Sequence, residues 1–176
     1  MIITVIGGGS WGSALARILG DNGHDVIIYD NDLSIVDEIN TYHTNKSKLP
    51  VGTLPLNVTA CNTLEEAINN SQVIVLAIPT KVIRVVLHDL NKVLKHKYLF
   101  VNASKGLEPK TYLRVSEIVS EEINKEYLEG FVALTGPSHA EEVINQLLTV
   151  ICSVSENKEH AKFIQSLFSL IFLYYM

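Results

Sequence analysis

A chain of 176 residues, 47% hydrophobic and 19% charged, is long enough to bury a sizeable core and too apolar to stay disordered. Its 14 Lys and Arg against 19 Asp and Glu leave a net charge of −5, the wrong sign for a surface that neutralises nucleic-acid phosphates. Every apolar run is shorter than the ~20 residues of a membrane-spanning helix, and Met1-Ile-Ile-Thr-Val-Ile6 lacks the basic lead of a signal peptide.

In chain order, short β-branched runs predict strands at Ile2–Ile6, Val26–Tyr29, Val58–Ala60, Val73–Ile78, Tyr98–Val101, Phe131–Thr135 and Leu148–Val154. These are continuous apolar runs, the pattern of parallel strands covered on both faces. Helical periods lie between them. Trp11, Leu15, Ile18 and Leu19 line one face of the first, with Gly20 as its expected C-cap. Thr63-Leu-Glu-Glu66 is a capping box that opens another, and residues 80–91, 111–123, 138–145 and 156–168 supply the rest. The basic run Lys92 to Lys97 reads as a solvated helix end. Asn40 to Leu56, with Pro50 and Pro55, is the longest expected loop. This rhythm predicts βαβ units and hence an α/β, Rossmann-like, doubly wound and mostly parallel sheet. Cys61 and Cys152 lie in apolar stretches without CxxC spacing, which predicts buried thiols in a reducing, cytoplasmic setting. His139 and Glu142 form a His/carboxylate pair at helical spacing, too little for a metal site.

Gly7-Gly8-Gly9-Ser10-Trp11-Gly12 fits GxGxxG, and its surroundings give that pattern weight. A strand precedes it, an amphipathic helix follows, and the second strand ends on Asp30. Gly7 suits the tight turn, Gly9 lets backbone approach a pyrophosphate, and Gly12 permits close helix–strand packing. Amides at the helix start then hold the anion, and Asp30 is placed to accept the ribose hydroxyls of an adenosine. The expectation is a dinucleotide site.

Two further loops open at the same carboxyl edge of such a sheet: Asn102-Ala-Ser-Lys-Gly-Leu-Glu108 and Gly136-Pro-Ser-His-Ala-Glu-Glu142. Lys105, beside a glycine, is a mobile cation suited to a phosphate or a polarised carbonyl oxygen. Ser138 with Glu141 forms a second capping box, and a helix start can hold an anion as well as a cap. Composition and spacing lead to a nucleotide-dependent enzyme of unspecified substrate.

GGGSWGSALA, KGLEP at Lys105–Pro109 and GPSHAEEV at Gly136–Val143 carry the chain further. In these segments and their order the sequence resembles the bacterial NAD(P)-dependent glycerol-3-phosphate dehydrogenases. That resemblance implies interconversion of glycerol 3-phosphate and dihydroxyacetone phosphate by hydride transfer, feeding glycerophospholipid synthesis. It implies that Ser10 and Trp11 touch the cofactor, that Lys105 meets cofactor and substrate, and that Ala140 lies by the cofactor. Gly136 and Ser138 would contact glycerol phosphate, and Pro79 with Thr80 would lie near the nicotinamide half. A homodimer is left open.

The chain also departs from that family. Asp30-Asn31-Asp32 stands where a His or Arg commonly holds the 2′-phosphate of NADP, which tilts the expected cofactor, NAD or NADP, towards NAD. Lys48 replaces an aromatic residue in Asn45-Lys-Ser-Lys-Leu-Pro50, and Leu173 replaces an arginine in Phe172-Leu-Tyr-Tyr175. The family's catalytic lysine belongs to a helical second domain and has no counterpart here, so no catalytic residue is expected in the chain. Phe168 to Met176 reads as a strand just beginning. Residues 1–176 are therefore expected to form one dinucleotide-binding domain, cut before a C-terminal substrate domain. Two rivals remain: another dehydrogenase of this fold, of ketopantoate or 2-hydroxyacid type, and a non-catalytic nucleotide sensor.

Overall fold

A computed structural model describes residues 1–136, 139–145, 147 and 149–169 of the chain. The apolar runs become β1 (Ile2–Ile6), β2 (Asp25–Tyr29), β3 (Val58–Cys61), β4 (Val73–Leu76), β5 (Tyr98–Asn102), β6 (Leu128–Thr135) and β7 (Cys152–Val154). They form one seven-stranded sheet in the order β3-β2-β1-β4-β5-β6-β7. β1 to β6 pair in parallel, and β7 closes the edge antiparallel to β6. The chain winds outward from β1 to β3, then returns to β4 on the other side of β1. That reversal leaves a crevice at the carboxyl ends of β1 and β4, where ligands of such sheets bind.

Seven helices cover the sheet among the described residues: α1 (Ser10–Asp21), α2 (Leu33–Tyr42), α3 (Leu64–Ile68), α4 (Thr80–Asn91), α5 (Val115–Glu122), α6 (Ala140–Ile144) and α7 (Lys158–Phe168). Alternate residues of each strand face opposite layers. Ile3, Val5, Val73, Val75, Leu99 and Val101 pack with α1, α2 and α7. Ile74, Leu76, Tyr98 and Phe100 face the other way, onto α3, α4 and α5. A smaller cluster joins Ala14 and Ile18 of α1 to Leu49 and to Ala140, Val143 and Ile144 of α6. α1 is thus covered on two sides, which explains why eight of its residues are buried.

Several boundaries differ from the sequence reading for physical reasons. Gly20 is no C-cap: α1 runs on to Asp21, and Asn22 caps it. A Cβ at Gly20 would lie 2.8 Å from Val58 Cγ2, so the glycine serves helix–strand contact. α2 was not expected at all. Asp32 caps it by accepting from Ser34 N, and Ile35, Val36 and Ile39 bury its inner face. The helix expected over 111–123 starts only at Val115, because residues 108–113 form a hydrogen-bonded turn. β7 is a short edge strand rather than part of a parallel core. α7 covers only one of its faces, receiving Ser153 Oγ at the Ala161 carbonyl, and this leaves Cys152 exposed instead of buried. Cys61 is buried as expected. Leu148, Ser138 with its capping box, and most of the strand expected over Phe168–Met176 lie outside the described residues. No helix among the described residues is long and apolar enough to cross a membrane.

Candidate active site

The glycine loop leaves β1 at Gly7, whose φ of +113° belongs to the region that favours glycine. A Cβ there would lie 2.7 Å from the Ala77 carbonyl oxygen. One at Gly12 would lie 1.9 Å from the Gly7 carbonyl oxygen, so α1 passes against the loop with no room for a side chain. Gly9 is different. Its φ of −71° and ψ of 179° are ordinary, and a Cβ would meet nothing within 4 Å. Gly9 is the N-cap of α1 without any capping side chain, and no acidic residue lies in the first turn. The first amides of a helix have no partner within it and carry its positive pole. Open space and unshielded polarity therefore coincide at this helix start, which fits a pyrophosphate.

Asp30, at the end of β2, supports the loop from one side. Its Oδ2 accepts from Gly8 N at 2.7 Å, and its Oδ1 accepts from Asp32 N at 2.9 Å. Both oxygens already hold amides, so any ribose hydroxyl would share lone pairs that also maintain the loop. Asn31, next along, is exposed. Two Ser34 hydrogen bonds hold the Asp32 carboxyl below the usual range, and the Lys48 charge adds to the effect. Sequence reasoning missed a second support. Asn45, 2% exposed, donates from Nδ2 to the Gly8 carbonyl at 2.7 Å and to Ser13 Oγ at 2.9 Å. Ser10 Oγ donates to the Lys48 carbonyl. The stretch around residues 45–49 thus straps the glycine loop down.

On the other side of β1 lie the ends of β4 and β5. Trp11 Nε1 donates to the Ala103 carbonyl at 3.0 Å, and Lys105 Nζ stands 5.8 Å from the Trp11 ring centroid. Pro79 caps α4, and a Cβ at Gly106 would come within 4.0 Å of Thr80 Oγ1, so the Pro79-Thr80 and Lys105 loops adjoin. Gly136 ends β6 with φ +149°, its missing Cβ 2.6 Å from the Val150 carbonyl oxygen. Trp11, Lys105 and Gly136 share the lining of one cavity of about 980 Å³, which extends to Val154 and His160. Its size is that of a site for a small ligand and part of a cofactor. Asp30 and Asn31 lie beyond β1 from this cavity, and Ala140 is buried between α6 and α1. One more group escaped the sequence reading. Glu108 is held by Arg84 of α4 in a bidentate pair at 2.8 and 2.9 Å.

Residues 2–161 match the family model described as NAD-dependent glycerol-3-phosphate dehydrogenase N-terminus. The chain is 47% identical over 167 residues to glycerol-3-phosphate dehydrogenase [NAD(P)+] of Streptococcus agalactiae, covering 95% of this chain and 49% of that protein. It is 48% identical over 166 residues to the protein of the same name from Bacillus cytotoxicus, covering 94% and 49%. The chain thus spans about half the length of the curated relatives it matches. Among solved structures, glycerol-3-phosphate dehydrogenase from Coxiella burnetii superposes with a TM-score of 0.88 at 25% identity, over 96% of this chain and 51% of that one. A UDP-glucose dehydrogenase from Pyrobaculum islandicum, 16% identical with a TM-score of 0.71, shares the fold alone. With the glycine loop, the Lys105 loop and Gly136 at one sheet edge, the chain belongs to the family of NAD-dependent glycerol-3-phosphate dehydrogenase N-terminal domains.

Proposed function

We propose that this chain, residues 1–176, is the dinucleotide-binding part of an enzyme that interconverts glycerol 3-phosphate and dihydroxyacetone phosphate. The observation that carries the reading is the clear space in front of Gly9 at the head of α1, beside the β1/β4 crevice. The α1 amides bind the pyrophosphate there, with Gly7 and Gly12 shaping the turn. Asp30 and Asn31 border the adenosine ribose, while Ser10, Trp11 and Pro79 border the rest of the cofactor. The chemistry the bound dinucleotide supplies is hydride transfer at its nicotinamide C4. Lys105 reaches both ligands, and its ammonium stabilises the negative charge on the substrate C2 oxygen as the carbonyl is reduced. Gly136 and Ser138 border the substrate, and Ala140 keeps α6 close to the cofactor. The proton on that oxygen is exchanged with a general base supplied from the half of the relatives that this chain does not span. The reading carries with it a cytoplasmic role in feeding glycerophospholipid synthesis.

NAD is the cofactor this site favours. Asp30 and Asp32 present carboxylates where NADP would bring a 2′-phosphate, a mismatch on the order of 1–3 kcal/mol. Lys48, whose charge reaches Asp32, weighs the other way, towards NADP. Competitive titration with NADH and NADPH tests the preference, with NADH binding tighter by roughly tenfold. The same sample should bind NADH without oxidising it when dihydroxyacetone phosphate is added. Tighter NADPH binding would reverse the preference, and robust turnover would contradict the placing of the general base.

A further inference from the structure

The span carrying Lys105 hangs between two anchors. At the first, Ala103 N and Ser104 Oγ both donate to the Leu76 carbonyl, at 2.9 and 3.2 Å, while the Ala103 carbonyl accepts Trp11 Nε1. At the second, Glu108 is 8% exposed and takes the Arg84 guanidinium through Nε and Nη2. Between the anchors lie Lys105, Gly106 and Leu107, all exposed, with Gly106 at φ +94°. These three residues belong to no helix or strand, and the two anchors fix where the span leaves β5 and where it ends.

Arg84 is gripped from beyond as well. Its Nη1 lies 2.8 Å from Glu121 and 2.7 Å from Glu122 of α5, so the guanidinium joins α4, α5 and the Lys105 loop. The turn after Glu108 would not hold this shape alone. Lys110 at φ 76° and Tyr112 at φ 59° occupy the left-handed region, which side-chain-bearing residues adopt at a cost. Glu108 ties that turn together. It accepts from Thr111 Oγ1, donates from its backbone N to Leu113 O at 2.9 Å, and accepts Tyr112 N at 2.9 Å. A bidentate guanidinium–carboxylate pair sets direction as well as distance, which a lysine could not do.

We propose that Arg84 is a positioning residue, which through Glu108 fixes the far end of this span and so holds the Lys105 ammonium over Trp11 at the cofactor cleft. The proposal rests on the dinucleotide reading of the glycine loop.

Trp11 is the single tryptophan of the chain, so its fluorescence reports this one place. Iodide, an anion, quenches an indole more strongly when a cation stands beside it. Quenching by iodide and NADH affinity are measured on the wild type, R84Q, K105A and the double variant. R84Q should lower quenching towards the K105A value and weaken NADH binding by roughly fivefold or more, and should change neither further in the K105A background. The proposal is overturned if R84Q leaves both at wild-type values, or if its effects persist in full without Lys105. E108Q repeats the test should R84Q not fold, because it leaves Arg84 its contacts to Glu121 and Glu122. It also removes a negative charge, so a fall in iodide quenching cannot come from overall charge. A wild type that binds no dinucleotide would end the functional reading, and the quenching series would still decide whether Arg84 holds Lys105.

Discussion

Burial pushes the Cys61 thiol up to about 11, with the Glu66 charge adding to the effect. At neutral pH it stays protonated and is a poor nucleophile. Cys152, on the uncovered face of β7, is exposed. A thiol reagent should therefore modify Cys152 in the native chain and reach Cys61 only on unfolding. In a Cys152→Ser variant the native reaction should slow by roughly two orders of magnitude; fast labelling of that variant would contradict the burial. The Glu108 carboxyl is held at about 2, below its ordinary 4.5, first by the Arg84 hydrogen bonds and then by Thr111. Its folded value lies below the unfolded one, so its stabilisation is complete above about pH 4.5 and fades as pH falls towards about 2. Acid titration followed by Trp11 fluorescence should show a transition in that window that is weaker in Glu108→Gln. Superimposable curves would mean that the pair does not hold the loop.

The unit of β1, glycine loop and α1 allows no substitution at Gly12. Unlike a flexible side-chain neighbour, the Gly7 carbonyl 1.9 Å from a Cβ at Gly12 is backbone and cannot step aside. Gly12→Ala should lose about 3 kcal/mol or more, read by denaturant unfolding, despite alanine's better helix propensity. A variant as stable as the wild type would refute the packing. This unit was legible in the sequence because its signals are local: an apolar run, glycines at set offsets, a helical period and an acid ending the next strand. Thr63 likewise announced α3, and its Oγ1 accepts Glu66 N at 3.4 Å. α2 was hidden because it is short and its apolar marks are blurred: Ile35, Val36 and Ile39 face inward while Leu33 is exposed, although Asp32 before Ser34 was a readable cap. The Asn45 strap and the Arg84–Glu108 pair join residues 37 and 24 positions apart, and no local period encodes such contacts. Gly20 misled because a glycine near a helix end has two meanings, and only Val58 across the layer selects close packing.

At the scale of the whole molecule, the parts assigned to dinucleotide binding lie along the carboxyl edge of the parallel strands, on both sides of β1. Those assigned to chemistry are shared with a region that this chain, about half the length of its curated relatives, does not span. Binding and turnover should therefore separate in this protein, and binding is where the account stands or falls. Gly9 isolates it, because the backbone there accepts any residue and a side chain would point into open space. The decisive measurement is a calorimetric titration of NADH into the wild type and Gly9→Val, with unfolding midpoints taken on both. The account predicts that the wild type binds, that the variant keeps its fold to within about 1 kcal/mol, and that its affinity falls at least about tenfold as the valine fills the pyrophosphate's place. A folded Gly9→Val that binds NADH as tightly as the wild type would contradict it.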